Sequence, residues 1–192
     1  RRATGTERRV IAVSRFASQE QHKLERSLRD AGMETIRCDL LARNAVATLP
    51  DAPNIICMAG QKFGTTEAPE RTWLVNVVVP AICAERYATS RIVAFSTGNV
   101  YPLMPVTSDG AREAEMPAPV GEYAASCLGR ERIFEGAAAK GTPGARVAIV
   151  RLNYAIDLRY GVLADLANHV VAGTPISVAM GFVNVIWQGD AN

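Results

Sequence analysis

Histidine is nearly absent from this chain: His22 and His169 are the only two in 192 residues. Both fall in helical patterns among polar or mixed neighbours, which reads as structural or surface placement rather than metal ligation. The four cysteines, at 38, 57, 83 and 127, have neither CxxC spacing nor a nearby histidine, so a zinc site is excluded. Cys38 and Cys57 lie inside apolar strand-like runs, where burial as small hydrophobes is the default. Charge of one sign is also lacking. The net charge of +2, from 21 basic and 19 acidic residues, gives no electrostatic reason for a nucleic-acid or anionic-membrane partner. No apolar run approaches the roughly 20 residues that span a bilayer. The N-terminus lacks the charged-then-apolar order of a signal peptide, and the expected location is cytoplasmic.

What is present is ordinary globular composition, 48% hydrophobic and 21% charged, enough for one sizeable core. Short β-branched runs at residues 9–14, 34–38, 54–58, 91–96 and 147–153 alternate with helical patterns. They predict parallel strands buried on both faces. Between the first two runs, Ser18 and Gln21 form a capping-box pattern. Leu24, Leu28 and Ala31 make an apolar stripe, and Gly32 suits the helix C-terminus. Further helices are predicted over 42–49, 71–88, 122–140 and 162–172. The fold class is therefore α/β, a doubly wound, Rossmann-like parallel sheet. Residues 102–119, containing proline and glycine, predict a long surface loop able to grip a ligand or move as a lid.

Two stretches carry chemistry. Arg91-Ile-Val-Ala-Phe95 is an apolar strand that turns polar at Ser96-Thr97-Gly98-Asn99-Val100-Tyr101, and Pro119-Val-Gly-Glu-Tyr123-Ala-Ala-Ser-Cys127 follows. Together they resemble the extended short-chain dehydrogenase/reductases, the NAD(P)-dependent epimerase/dehydratase group, over nearly the whole chain. The resemblance implies an oxidoreductase acting on a sugar, nucleotide sugar or related hydroxy/keto compound. Thr97 would hydrogen-bond the substrate oxygen, and Tyr123 would exchange a proton with it as hydride moves to or from nicotinamide.

The same resemblance assigns cofactor contacts. Ser14 and Arg15, ending the first strand, would reach the adenosine ribose; a Ser-Arg pair suits a 2'-phosphate, favouring NADP over NAD, unless Arg15 only caps the strand in solvent. Asp39 and Leu40 would lie along the adenine. Met58, Ala59 and Gly60 would pass beneath the cofactor, or form an ordinary turn. Pro80 lacks the N–H that would bond the carbonyl of Asn76. That carbonyl is therefore left free for a relay water, or simply marks a kinked core helix. Asn153, in Arg151-Leu-Asn153-Tyr154, would contact nicotinamide or substrate. Asp190 would cap a following helix.

Two departures from the family stand out. No GxGxxG or GxxGxxG occurs, and residues 1–7 read as the end of a helix, so the first strand and its glycine loop are expected to precede this sequence. Residues 1–161 would then be an N-terminally incomplete dinucleotide-binding domain, and 162–192 the start of a substrate-binding portion. The second departure is Cys127, standing where the family has a lysine that lowers the tyrosine's pKa and binds the nicotinamide ribose. It reads first as a packing residue. The alternatives are a reactive thiol, or a site where another cation such as Arg130 substitutes, although Arg130 is expected to be offset around the helix. An impaired dinucleotide-binding sensor or scaffold protein is the competing functional class. The family also implies a homodimer formed through the helices at 71–88 and 122–140.

Overall fold

A computed structural model describes residues 8–140, 144–178 and 181–192; the reading of residues 1–7 as a helix end lies outside the described residues. Three parallel pairings form the sheet framework. Strand β1 (Ile11–Ser14) pairs with β2 (Glu34–Arg37), while β3 (Asn54–Cys57), β4 (Arg91–Thr97) and β5 (Arg146–Leu152) lie side by side in that order. Near the C-terminus, β6 (Tyr154–Ile156) pairs with β7 (Val185–Trp187). Among the described residues, neither β1 nor β3 has a strand on its other edge.

Helix α1 (Gln19–Asp30) starts as its sequence dictates. The Ser18 hydroxyl accepts from the Gln21 amide at 3.2 Å and the Gln21 side chain accepts from the Ser18 amide, a reciprocal cap that uses two otherwise unpaired donors. Gly32, at φ 80°, turns the chain into β2. Glu25 of α1 is buried beneath the sheet edge, where it accepts from Arg37 at 2.6 Å, Arg29 at 2.7 Å and Thr35 at 3.2 Å.

The predicted helix at 71–88 is three pieces: α3 (Pro69–Trp73), a wide π-type turn (Leu74–Val78) and α4 (Val79–Arg86). The cause is Pro80, which cannot donate to a carbonyl in the preceding turn; the ladder widens instead, and the Val79 amide bonds the Leu74 carbonyl. The remaining helices are α2 (Arg43–Ala47), α5 (Gly121–Ala139), α6 (Val162–Ala172) and α7 (Gln188–Ala191). Asp190 sits inside α7, whose cap residue Trp187 makes no side-chain cap bond, so the expected capping role for Asp190 does not occur.

Helices α4 and α5 bury one face of β3-β4-β5. Cys57, Ala84, Tyr87, Ile92, Ala94 and Phe134 form that core, with Val147 and Ile149 packed against it. Mid-helix Ile82 of α4 serves the other sheet, where it joins Cys38, Val46 and Leu49. The expectation of strands buried on both faces is corrected here. Register places Ile56 beside Val93 on the opposite face, and Ile56 is 65% exposed. The continuous apolar runs look alike in sequence whether one face or two are covered, so periodicity could not tell them apart.

Candidate active site

The chemistry-bearing residues gather at the C-terminal ends of β3, β4 and β5. Thr97 is the last residue of β4, buried, with its hydroxyl accepting from the Asn99 amide at 3.2 Å. A short 3-10 turn, Gly98–Val100, then leads into residues 101–117, which are largely without regular structure and are closed at the neck by the Ala118 amide donating to the Val100 carbonyl at 2.9 Å. The chain returns as α5, whose first turn carries Tyr123. The Tyr123 phenol lies beside the Thr97 hydroxyl and the Cys127 thiol, close enough for both to bear on its ionisation.

The structure thus brings Thr97, Tyr123 and Cys127 together. Cys127 is 1% exposed and carries no cation of its own to the phenol. Burial pushes the Tyr123 pKa above its ordinary value, and a charge on Cys127 would push it further; the Thr97 hydrogen bond and the charge of Arg130 act in the opposite direction without overcoming them. Burial likewise raises Cys127, opposed by Arg130 and by the phenol's hydrogen bond. Both groups are therefore held in their neutral forms.

Asn76 is the hub behind this trio. Fully buried in the π-type turn, its side-chain oxygen accepts from the Gln61 amide at 2.7 Å, while its Nδ2 donates to the Gln61 carbonyl at 3.1 Å and to Ser126 Oγ at 2.9 Å. Ser126 Oγ in turn donates to the Tyr123 carbonyl at 2.9 Å. A buried primary amide with both protons and its oxygen used is fully satisfied, and it locks the 59–61 loop to the first turn of α5. The Asn76 carbonyl, expected to stand free for a water, is taken instead: Arg130 Nε donates to it at 3.3 Å.

The other expected contacts are spread around this centre. Ser14 is half-buried at the end of β1 and Arg15 is exposed beside it, the turn being anchored by buried Phe16 at φ 46°. Asp39 caps its own turn, accepting from the Leu41 amide at 3.0 Å, and Leu40 packs against the second core cluster, so neither is aimed at Tyr123. Met58 and Gly60 are exposed, with Ala59 half-buried. Asn153 is exposed after β5, its side chain lying where a Cβ on Gly98 would go.

Three residues went unread in the sequence. Glu131 is buried and accepts from Arg151 through both carboxylate oxygens, at 3.0 and 2.7 Å, and from Ser96 Oγ at 2.5 Å. Arg151 also stacks over the Tyr101 ring, 4.7 Å from its centre. Lys62, in the loop after Gly60, lies 4.7 Å from the Tyr154 ring. The signal for Glu131 was an acid on a helix face otherwise occupied by buried side chains. Among the described residues no cluster of histidine, cysteine or acids could hold a metal, and no helix is long and apolar enough to cross a membrane. A shallow recess on α6, lined by Asp165, Asn168 and His169, shares no residue with the site.

A parallel α/β frame with a threonine ending one central strand, beside a tyrosine in the first turn of the next helix, is the arrangement of a Rossmann-like protein of the short-chain dehydrogenase/reductase type. Within that class, the family model described as the NAD dependent epimerase/dehydratase family matches residues 1–178, and the chain belongs to this family. A search of curated protein sequences gives no match. Solved structures share the fold. MoeE5 in complex with UDP-glucose and NAD is 20% identical at a TM-score of 0.73, over 95% of this chain and 69% of that one. UDP-glucuronic acid 4-epimerase from Bacillus cereus, in complex with UDP-glucuronic acid and NAD, is 15% identical at a TM-score of 0.79, over 95% and 62%. RMD from Pseudomonas aeruginosa, complexed with NADPH, is 21% identical at a TM-score of 0.65, over 86% and 62%.

Proposed function

We propose that this chain binds a nicotinamide dinucleotide and acts as an epimerase/dehydratase-type oxidoreductase on a nucleotide sugar or a related hydroxy/keto compound. The observation that carries the reading is the placement of Tyr123 beside buried Thr97 at the strand ends, in a member of this family whose solved neighbours include structures holding NAD with a nucleotide sugar and one holding NADPH.

The described residues fit the cofactor's nicotinamide and ribose ends. Exposed Met58 and Gly60 leave the backbone open to close approach, and exposed Asn153 flanks the same strand ends. Ser14 and Arg15 would hold the adenosine ribose, and exposed Arg15 favours a 2'-phosphate, hence NADP. Bound nicotinamide supplies or accepts a hydride.

The chain's own residues govern the proton. Thr97 donates to a substrate oxygen and orients it. Tyr123, held neutral by burial, gives its phenolic proton to that oxygen as negative charge develops there. Tyrosinate forms as the proton is given and is consumed as it is taken back, so burial of the phenol bears on both directions. Asn76 and Ser126 keep the first turn of α5 in place against the 59–61 loop. Trp73 and Leu74, exposed on the segment beside α5, would contribute to a homodimer contact.

A second reading, a non-catalytic dinucleotide sensor or scaffold, is favoured by one observation: the position of the family's lysine holds a neutral, buried thiol. The test is calorimetric titration of the full-length protein with NADPH and then NADH, followed by turnover assays with UDP-glucose and UDP-glucuronic acid. Tight NADPH binding with turnover that Tyr123→Phe lowers by about a hundredfold or more supports the enzyme. Binding without turnover moves the assignment to the sensor, and no binding to either nucleotide sinks both.

A further inference from the structure

Arg130 is 6% exposed, yet no carboxylate among the described residues forms an ion pair with it. Its three hydrogen bonds all go to neutral acceptors: the Asn76 carbonyl at 3.3 Å, Asn76 Oδ1 at 2.8 Å and the Phe95 carbonyl at 2.8 Å. The adjacent acid, Glu131, is fully engaged by Arg151 and Ser96. A guanidinium keeps its charge at any working pH, and a buried charge without a partner is costly. Such a residue persists where its charge has a use.

Its placement shows the use. Tyr123, Cys127 and Arg130 stand at i, i+4 and i+7 of α5, and 3.6 residues per turn puts all three on one stripe. The expected offset of Arg130 is thus corrected: seven residues is almost two full turns. From there the guanidinium reaches back between β4 and the 59–61 loop. The Phe95 carbonyl that it bonds is two residues before Thr97. A Cβ on Gly60 would lie 2.6 Å from its Nη2. The ionisable groups that its field reaches are Tyr123 and Cys127 on α5 and Cys57 on β3, and it favours the charged form of each. The other charge near this group is Glu131, which opposes ionisation of Cys127.

We propose that Arg130 is a positioning residue that supplies, from one turn deeper in α5, the positive charge that Tyr123 would otherwise receive from a lysine at position 127. The assignment deepens the enzyme reading and rests on it for its purpose. The charge is permanent and lies under the strand ends, so it eases formation of tyrosinate without taking or giving a proton. Proton exchange is then confined to Tyr123 and Thr97. The division also separates two duties that one lysine combines, because the Arg130 guanidinium is committed to Asn76 and Phe95.

The test is the ionisation of Tyr123 itself, read as the tyrosinate absorbance of the full-length protein minus that of its Tyr123→Phe variant across alkaline pH, without cofactor or substrate. Arg130→Gln, which keeps an amide donor, and Arg130→Met should each move the Tyr123 midpoint upward. Arg130→Lys should restore most of it, and Cys127→Lys added to Arg130→Met should bring it back down. A folded Arg130→Gln protein, verified by circular dichroism, with an unchanged Tyr123 midpoint overturns the proposal. Should neither Gln nor Met fold, the Cys127→Lys/Arg130→Met protein decides: regained fold and midpoint support a role for the charge, and failure to fold assigns Arg130 to structure alone. NADPH binding, measured separately, keeps failure of the enzyme reading distinct from failure of this one.

Discussion

Residues 130 and 131 are neighbours on one helix, both buried and oppositely charged, and they are satisfied in opposite ways. Glu131 has a bidentate arginine and a serine hydroxyl on its carboxylate; Arg130 has only carbonyl and amide oxygens. A buried acid closed off by its partners ties β4 and β5 to α5, and its placement is accounted for by the fold. A buried cation bonded to neutral oxygens keeps its field available to whatever ionises nearby. The two together show that burial of charge is not one phenomenon: the complete pair is framework, and the incomplete one points toward the site.

The sharpest way to break the comparison is Glu131→Ala. It leaves the Arg151 guanidinium without its carboxylate partner and Ser96 Oγ unpaired, and should cost about 3–5 kcal/mol of stability in urea unfolding. Arg130→Met strands only neutral acceptors and should cost about 1–3 kcal/mol. If both substitutions cost the same, the distinction between framework and site collapses.

A milder probe is Gly60→Ala, whose Cβ would stand 2.6 Å from Arg130 Nη2 and 3.3 Å from Asn76 Oδ1. The guanidinium must shift and give up a hydrogen bond, so about 1 kcal/mol is expected, with the Tyr123 midpoint moving upward as in the Arg130 variants. An unchanged midpoint with reduced stability would show that the loop and the charge are independent.

The smallest effect concerns a second buried acid, Glu25, whose side chain is 4% exposed. The hydrogen bond from Arg37 holds its pKa below the usual carboxylate range, with burial opposing and the charges of Arg29 and Arg37 assisting. Its contribution is fully present above the unfolded-state value of about 4.3 and is lost as pH falls through the lower folded-state value. Glu25→Gln should therefore flatten the acid limb of stability against pH, measured by urea midpoints, while leaving the Tyr123 titration untouched.

Much of the frame was legible because its signals are local. The Ser18 and Gln21 cap, the β-branched runs and the polar turn after Phe95 each sit within one element, and each element formed within a residue or two of its expected bounds. Pro80 announced a break, but the sequence alone did not say that the ladder would widen into a π-type turn or that Arg130 would occupy the carbonyl so exposed. Glu131 escaped notice because its partners are 20 and 35 residues away, and only the β4–β5 register puts Ser96 beside Arg151. The stripe through Tyr123, Cys127 and Arg130 was open to arithmetic; what the sequence withheld was the pocket of neutral oxygens that receives the guanidinium.

The loop at 101–117 leaves the frame and rejoins it across a single backbone hydrogen bond, from Ala118 to Val100. Closure entropy grows only slowly with length, so the segment beyond Tyr101, whose ring is held by Arg151, can be lengthened at small cost while Thr97 and Tyr123 stay on either side of its neck. Changes can accumulate beyond Tyr101 at little cost to folding, which makes this stretch the part of the chain least constrained by the frame.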